Sequence, residues 1–182
     1  MNAINSILIL LAAFLAVYLE AAFNGVRFLF GAQVDLLPPL IVYASLSTNL
    51  GTLVSLTVLG GLCFDSLSAN PLGVSMLPLL LIGLAIYRQR GLILREQLFV
   101  QFILGLGASA AAPALTLVLL LNIGGNPLVG WGTVWQWLVM CVGGALLTPI
   151  CFYLFDVFNH ALSYRPHGQS SFRPDREIKR GR

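Results

Sequence analysis

The chain has 182 residues, of which 58% are hydrophobic and only 9% charged, with a formal net charge of +3. A soluble domain usually carries about 25% charged residues and needs a polar skin, so a soluble globular protein is excluded. A disordered chain is excluded too, because this much apolar surface cannot stay solvated, and a single polytopic membrane domain remains.

A helix rises about 1.5 Å per residue and the hydrocarbon core is about 30 Å thick, so each crossing needs about 20 apolar residues. Ile4–Phe23 fits one crossing. The residues before it, Met1 to Ser6, carry no basic group, and no small-x-small cleavage site follows. The segment therefore reads as a retained helix rather than a signal peptide. Glu20 and Arg27 flank its far boundary, where they are expected to solvate the membrane edge.

Leu36–Phe64 is too long for one straight crossing and short for two. Ser45, Ser47, Thr48, Asn49, Gly51 and Thr52 interrupt its middle, which predicts a tight hairpin between two short helices. Unpaired backbone groups cannot face lipid, so this turn must lie near an interface or be packed in protein. Leu72–Tyr87 is a short crossing, and Gln97–Leu121 and Val134–Phe155 are full ones. The expected fold is an all-α membrane bundle of about six transmembrane helices over residues 1–160. A basic cytoplasmic tail follows at 161–182, expected to be disordered. A five-helix arrangement, with Leu36–Phe64 as one bent helix, also satisfies the pattern.

Orientation follows from the basic residues. Arg88, Arg90 and Arg95 occupy one short loop, and Arg165, Arg173, Arg176, Lys179, Arg180 and Arg182 lie in the tail. The loop and the tail are therefore expected on the cytoplasmic side of the membrane. The side of the N-terminus depends on whether there are five or six crossings. Attraction of the tail to anionic lipid adds about 1 kcal/mol per basic residue near the surface.

Catalytic signatures are missing. The sequence holds no HExxH, no Gly-x-Ser-x-Gly and no phosphate-cradling glycine loop. No close acidic pair sits within one crossing, and His160 and His167 both lie in or beside the tail. Cys63, Cys141 and Cys151 lack metal or disulfide spacing. No enzyme activity, metal or cofactor is expected, and nothing here reads nucleic acid.

Small residues mark where helices can approach closely. Gly60 and Gly61 do so near the end of the long run. Gly105 with Ser109, and Gly107 with Ala111, form small-xxx-small pairs ahead of Pro113. Ala12 with Ala16 repeats the pattern in the first crossing. Each pair suits either packing within the bundle or a flat face for another membrane protein. Pro113 and Pro149 are expected to kink their helices. Trp131, Trp135 and Trp137 fit an aromatic belt.

The most informative stretch runs from Gln33 to Gly73. Asp35 precedes Pro38 and Pro39 at the entry to the second crossing. Gly60-Gly61-Leu62-Cys63-Phe64-Asp65 closes the third, and Pro71-Leu72-Gly73 follows in a short polar turn. Asp65 reads either as a cap for the next helix or as an acidic contact offered to a partner. This pattern resembles the MreD family of small membrane proteins of the bacterial cell-elongation machinery. The likeness covers about forty residues, and the tail after Tyr164 looks longer than the family's usual one.

The resemblance implies a non-enzymatic scaffold for lateral wall growth and cell shape. Its implied partners are MreC, MreB through MreC, RodA and the elongation-class penicillin-binding protein. The contact candidates it implies are Asp35, Pro38, Gly61, Asp65, Pro71 and Gly73, to which the small-residue faces add Gly60, Gly105 and Ser109. The family is similar in fold to the substrate-binding S components of energy-coupling-factor transporters. The alternative expectation is accordingly a vitamin-binding transport subunit.

Overall fold

A computed structural model describes residues 3–22, 31–68, 71–93, 97–124 and 130–163. Among these residues the chain is all-helical, with six α-helices and no strand: α1 Ala3–Ala22, α2 Leu37–Ser47, α3 Leu50–Leu67, α4 Met76–Gln89, α5 Leu98–Asn122 and α6 Trp131–Ser163. The predicted hairpin is present. Thr48 leaves the helix in an extended conformation and Asn49 opens the next one, so two residues separate α2 from α3. Gly60 of α3 lies against Leu37 of α2, and Leu53 and Ile41 both touch Gly83 of α4.

Helix α2 is the centre of the bundle. With 11 residues it is only about 16 Å long, too short to cross a bilayer. It is buried from Leu37 to Leu46, so protein rather than lipid surrounds it. That explains how a short helix interrupted by polar residues is tolerated at membrane depth. All the other helices pack on it.

Tyr43 anchors α2 to α6. Its ring stacks on Phe155 at 4.5 Å between centroids and meets Phe152 edge-on at 5.0 Å. Its hydroxyl accepts a hydrogen bond from Asn159 Nδ2 at 3.2 Å. Four hydroxyls buried in the core are satisfied by the chain itself, whereas Ser109 Oγ has no partner among the described residues. Ser45, Thr48, Thr57 and Thr148 each donate to the carbonyl four residues back, a bond that removes the cost of burying them.

The outer faces of the bundle are apolar. Ile7, Leu11, Phe14 and Tyr18 on α1, and Tyr153, Leu154 and Phe158 on α6, are exposed. Three helices, Leu50–Leu67, Leu98–Asn122 and Trp131–Asn159, are long and apolar enough to cross a membrane. Apolar skin on such helices is what lipid, not water, requires. Helix α4 is short as expected, at 14 residues or about 21 Å, and with Ser6–Ala22 and α2 it belongs to the shorter apolar helices.

Helix α6 is longer than the sequence pattern implied. It starts at Trp131 and continues past Phe155 to Ser163. His167, Arg165 and the rest of the tail, Arg95 in the α4–α5 connection and Arg27 after α1 lie outside the described residues.

Candidate functional site: a polar cluster at one end of the bundle

The motif residues gather at one end of the bundle, around the start of α2 and the end of α3. The N-terminus of a helix leaves backbone N–H groups without intrahelical partners. In α2 the positions after Leu37 are Pro38 and Pro39, which carry no N–H, so only two donors need partners. Leu37 N donates to Asp35 Oδ1 at 2.9 Å, and Leu36 N donates to Glu20 Oε2 at 3.4 Å. Two prolines and two carboxyl groups thus complete the helix start. Acidic groups are also favoured there by the helix dipole.

Glu20 therefore does more than solvate a boundary. It is half-buried, and its other oxygen accepts from Gln33 Nε2 at 3.2 Å. Gln33 in turn exchanges two hydrogen bonds with Gln136 of α6: Gln33 N donates to Gln136 Oε1 at 3.0 Å, and Gln136 Nε2 donates to Gln33 O at 2.8 Å. This clamp fastens the segment before α2 to a helix a hundred residues away. Neither Gln33 nor Gln136 carries a sequence signal for the pairing. Only the placement of an amide among apolar neighbours could have flagged Gln136.

Asp65 lies in the last turn of α3 and is 1% exposed. Its Oδ2 accepts from Gly73 N at 2.8 Å and from Ser75 N at 3.1 Å, at the entry to α4. The capping role expected for it is present, though it acts across the whole α3–α4 turn. Gly73 sits at φ +90°, a conformation that side chains strain, so glycine is required there. Gly61 completes the hook. A Cβ at that position would lie 2.8 Å from Met76 Cα, so only glycine lets the start of α4 close on α3. Asp65 Oδ1 is buried and has no partner among the described residues.

Gly105 and Ser109 lie elsewhere, on the face of α5 that meets α6. A Cβ at Gly105 would run into Gly144 O and Thr148 Cβ, each at 2.7 Å. Ser109 packs directly on Gly144. Of the two uses open to this small-residue pair, the bundle takes the internal one.

As surfaces for a partner, Asp35, Pro38, Gly60, Gly61, Asp65, Gly105 and Ser109 are all buried in this chain. Pro71 and the neighbouring Leu72 are exposed, and Gly73 is half-covered. The motif thus has a buried framework and an exposed tip.

Two of the basic residues are described, Arg88 and Arg90, both exposed at the opposite end of the bundle. Arg90 Nη1 donates to Thr48 O at 3.2 Å, and its guanidinium stands 4.2 Å from the centroid of the Tyr87 ring. It therefore caps the carboxyl end of α2, a role its place in a basic loop did not reveal. Arg95, Arg173, Arg176, Lys179 and Arg180 lie outside the described residues.

Two cavities flank Phe64 at the acidic end. One, of about 300 Å³, is lined by Glu20, Gln33 and Ser68 among others. The other, of about 260 Å³, lies between α5 and α6 beneath Asp35. Trp137, expected only as part of an interfacial belt, lines that second cavity and donates from Nε1 to Ala110 O at 2.9 Å. That carbonyl lies one turn before Pro113, where the missing N–H loosens the helix ladder.

Among the described residues no group of three or more His, Cys, Asp or Glu side chains could hold a metal ion. No protein-family model, curated protein or solved structure matches this chain.

Proposed function

We propose that this chain is a non-enzymatic membrane scaffold of the MreD type. In this reading it joins MreC, and through it MreB, to RodA and the elongation-class penicillin-binding protein during lateral wall growth. One observation carries the proposal: the residues of the MreD-like motif, scattered over forty positions, converge on one end of the bundle as connected parts. Asp35 and Pro38 build the start of α2, while Gly61, Asp65 and Gly73 build the α3–α4 hook. Such a framework holds Pro71 and Leu72 outward, the geometry expected of a rigid contact point.

Placement in a bacterial inner membrane belongs to the same reading. Arg88 and Arg90 stand at the end of the bundle where Ser6 of α1 bonds Thr52 of α3 and where Asn159 of α6 meets Tyr43. Basic residues mark the cytoplasmic side, so the start of α1 and the end of α6 face the cytoplasm and the Pro71–Leu72 tip faces outward.

Depletion in a rod-shaped host with no second copy tests the proposal. The expected outcome is a change from rods to spheres, accompanied by loss of MreC from the complex. Rods that stay intact through depletion overturn it. The alternative of a vitamin-transport subunit requires several convergent polar groups deep in the bundle. The deep hydroxyls of Ser45, Thr57 and Thr148 are instead engaged by their own helices.

A further inference from the structure

The cavity of about 260 Å³ between α5 and α6 has an unusual division of chemistry. Its walls are apolar, formed by Leu79, Pro113, Leu117, Leu120, Trp137 and Met140. Its polar edge contains Asp35, which is 9% exposed. One oxygen of Asp35, Oδ1, receives Leu37 N. The other has no hydrogen-bond partner among the described residues. Around it, Gln136 is committed to Gln33 through both its amide atoms. None of the described lining residues is cationic.

A carboxylate at the edge of an apolar cavity, without a counter-charge, is costly unless something pairs with it. We propose that this cavity binds a small lipophilic amine, with its ammonium group on Asp35 and its apolar portion between α5 and α6. Each alternative chemistry meets an obstacle. An anionic amphiphile finds no cation in the lining and two carboxyl groups nearby, Asp35 and Glu20, close enough to influence each other. A purely apolar guest leaves the carboxylate unpaired. The volume, just below the range of about 300–1,000 Å³ usual for drug-sized ligands, suits one aromatic ring or a short alkyl chain. Trp137 adds a ring against which a cationic group is attracted.

The same chemistry has two sources: a free lipophilic amine, or the ammonium headgroup of an aminophospholipid whose chain enters between the helices. The inference is independent of the scaffold reading, since it needs only the cavity and Asp35.

The test uses the purified full chain in neutral maltoside micelles at pH 7.5. It is titrated with 2-phenylethylamine, 2-phenylethanol and 3-phenylpropionate, reading the thermal midpoint and tryptophan fluorescence. The amine is expected to give a saturable response, the alcohol one at least about tenfold weaker, and the acid none. Asp35→Asn retains an oxygen for Leu37 N and is expected to reduce the amine to the level of the alcohol. Thr116→Phe, which fills the cavity from α5, is expected to abolish the response while leaving Asp35 in place.

An equal response to amine and acid, an unchanged amine affinity in Asp35→Asn, or no saturable response to the amine overturns the proposal. Added phosphatidylethanolamine and phosphatidylglycerol separate the sources. Competition by the first alone identifies the lipid headgroup, and competition by neither identifies a free amine.

Discussion

Asp65 Oδ2 lies 2.8 Å from the backbone nitrogen of Gly73, eight residues further along the chain. This one bond, with its companion to Ser75 N at 3.1 Å, ties the end of α3 to the start of α4 and satisfies one donor of the turn and the N-cap donor of α4. Asp65→Ala strands the buried Ser75 N and the part-buried Gly73 N, so a loss of about 2–3 kcal/mol in stability is expected. Thermal unfolding in detergent measures it. Asp65→Asn keeps one acceptor oxygen and is expected to lose less. An Asp65→Ala protein as stable as the parent contradicts the capping role.

The small residues of α5 make a second, sharper comparison. Gly144 of α6 packs against Ser109, whereas a Cβ at Gly107 would meet nothing within 4 Å. Gly144→Ala is therefore expected to force the two helices apart, at a cost of about 1–3 kcal/mol for overpacking. Gly107→Ala is expected to be neutral or to stabilise by about 0.5–1 kcal/mol through helix propensity. Both are read from thermal midpoints of the same preparation. The opposite order refutes the assignment of this face to the α5–α6 contact.

These comparisons show what the sequence could and could not announce. Helices and their order follow from apolar run length, and the α2–α3 break follows from the polar residues 45–52, because lipid tolerates neither long polar stretches nor open backbone. The capping role of Asp65 is legible in the sequence as one of two readings, since an acidic residue before a turn can cap the next helix or face a partner. Glu20 and Arg90 were read only as boundary charges, because their partners, Leu36 N and Thr48 O, are backbone groups that no side-chain pattern encodes. The Gln33–Gln136 clamp was illegible for the same reason. It joins two residues 103 positions apart, and nothing in the Gln33–Gly73 stretch points to Gln136. The complete burial of α2 was also hidden, since an 11-residue apolar helix looks alike whether lipid or protein surrounds it.

Arg90 offers a direct check on the closing of α2 at its other end. Its guanidinium holds Thr48 O and stands over Tyr87, two interactions that a lysine reproduces poorly. Arg90→Ala is expected to destabilise by about 1 kcal/mol, reduced because the side chain is exposed, and Arg90→Lys to recover only part of it. Amide hydrogen exchange at residues 48–53 should quicken in Arg90→Ala. Exchange confined to its parental rate argues against the cap.

The exposed tip separates the scaffold role from the stability of its frame. Leu72 is 72% exposed, so folding buries little of its side chain. Leu72→Ser is expected to leave the thermal midpoint within about 0.5 kcal/mol of the parent and to lower MreC co-purification several-fold. Asp65→Ala reduces both together, because the tip loses its support. Parental MreC recovery with Leu72→Ser removes the tip from the interface.

The acidic end makes a prediction about pH whose sign is fixed by burial. Asp35, in the segment before α2, is pushed up from the usual 3.8 to about 6 by desolvation, partly offset by the hydrogen bond from Leu37 N. The folded chain therefore holds a proton on Asp35 between about pH 4 and 6 that the unfolded chain has released. By linkage, the contribution of this group to stability is greatest below the lower value, declines as pH rises through the upper one, and is level above it. Asp35→Asn, which does not titrate, should be stabilised relative to the parent at pH 8 and lose that advantage at pH 5. The difference between the two thermal midpoints, followed from pH 5 to 8, is the measurement. A difference that stays constant over that range means that Asp35 is not the group responsible. A bound amine should reverse the trend, because an ammonium ion on Asp35 favours the charged carboxylate. With saturating 2-phenylethylamine the advantage of Asp35→Asn at pH 8 is expected to disappear.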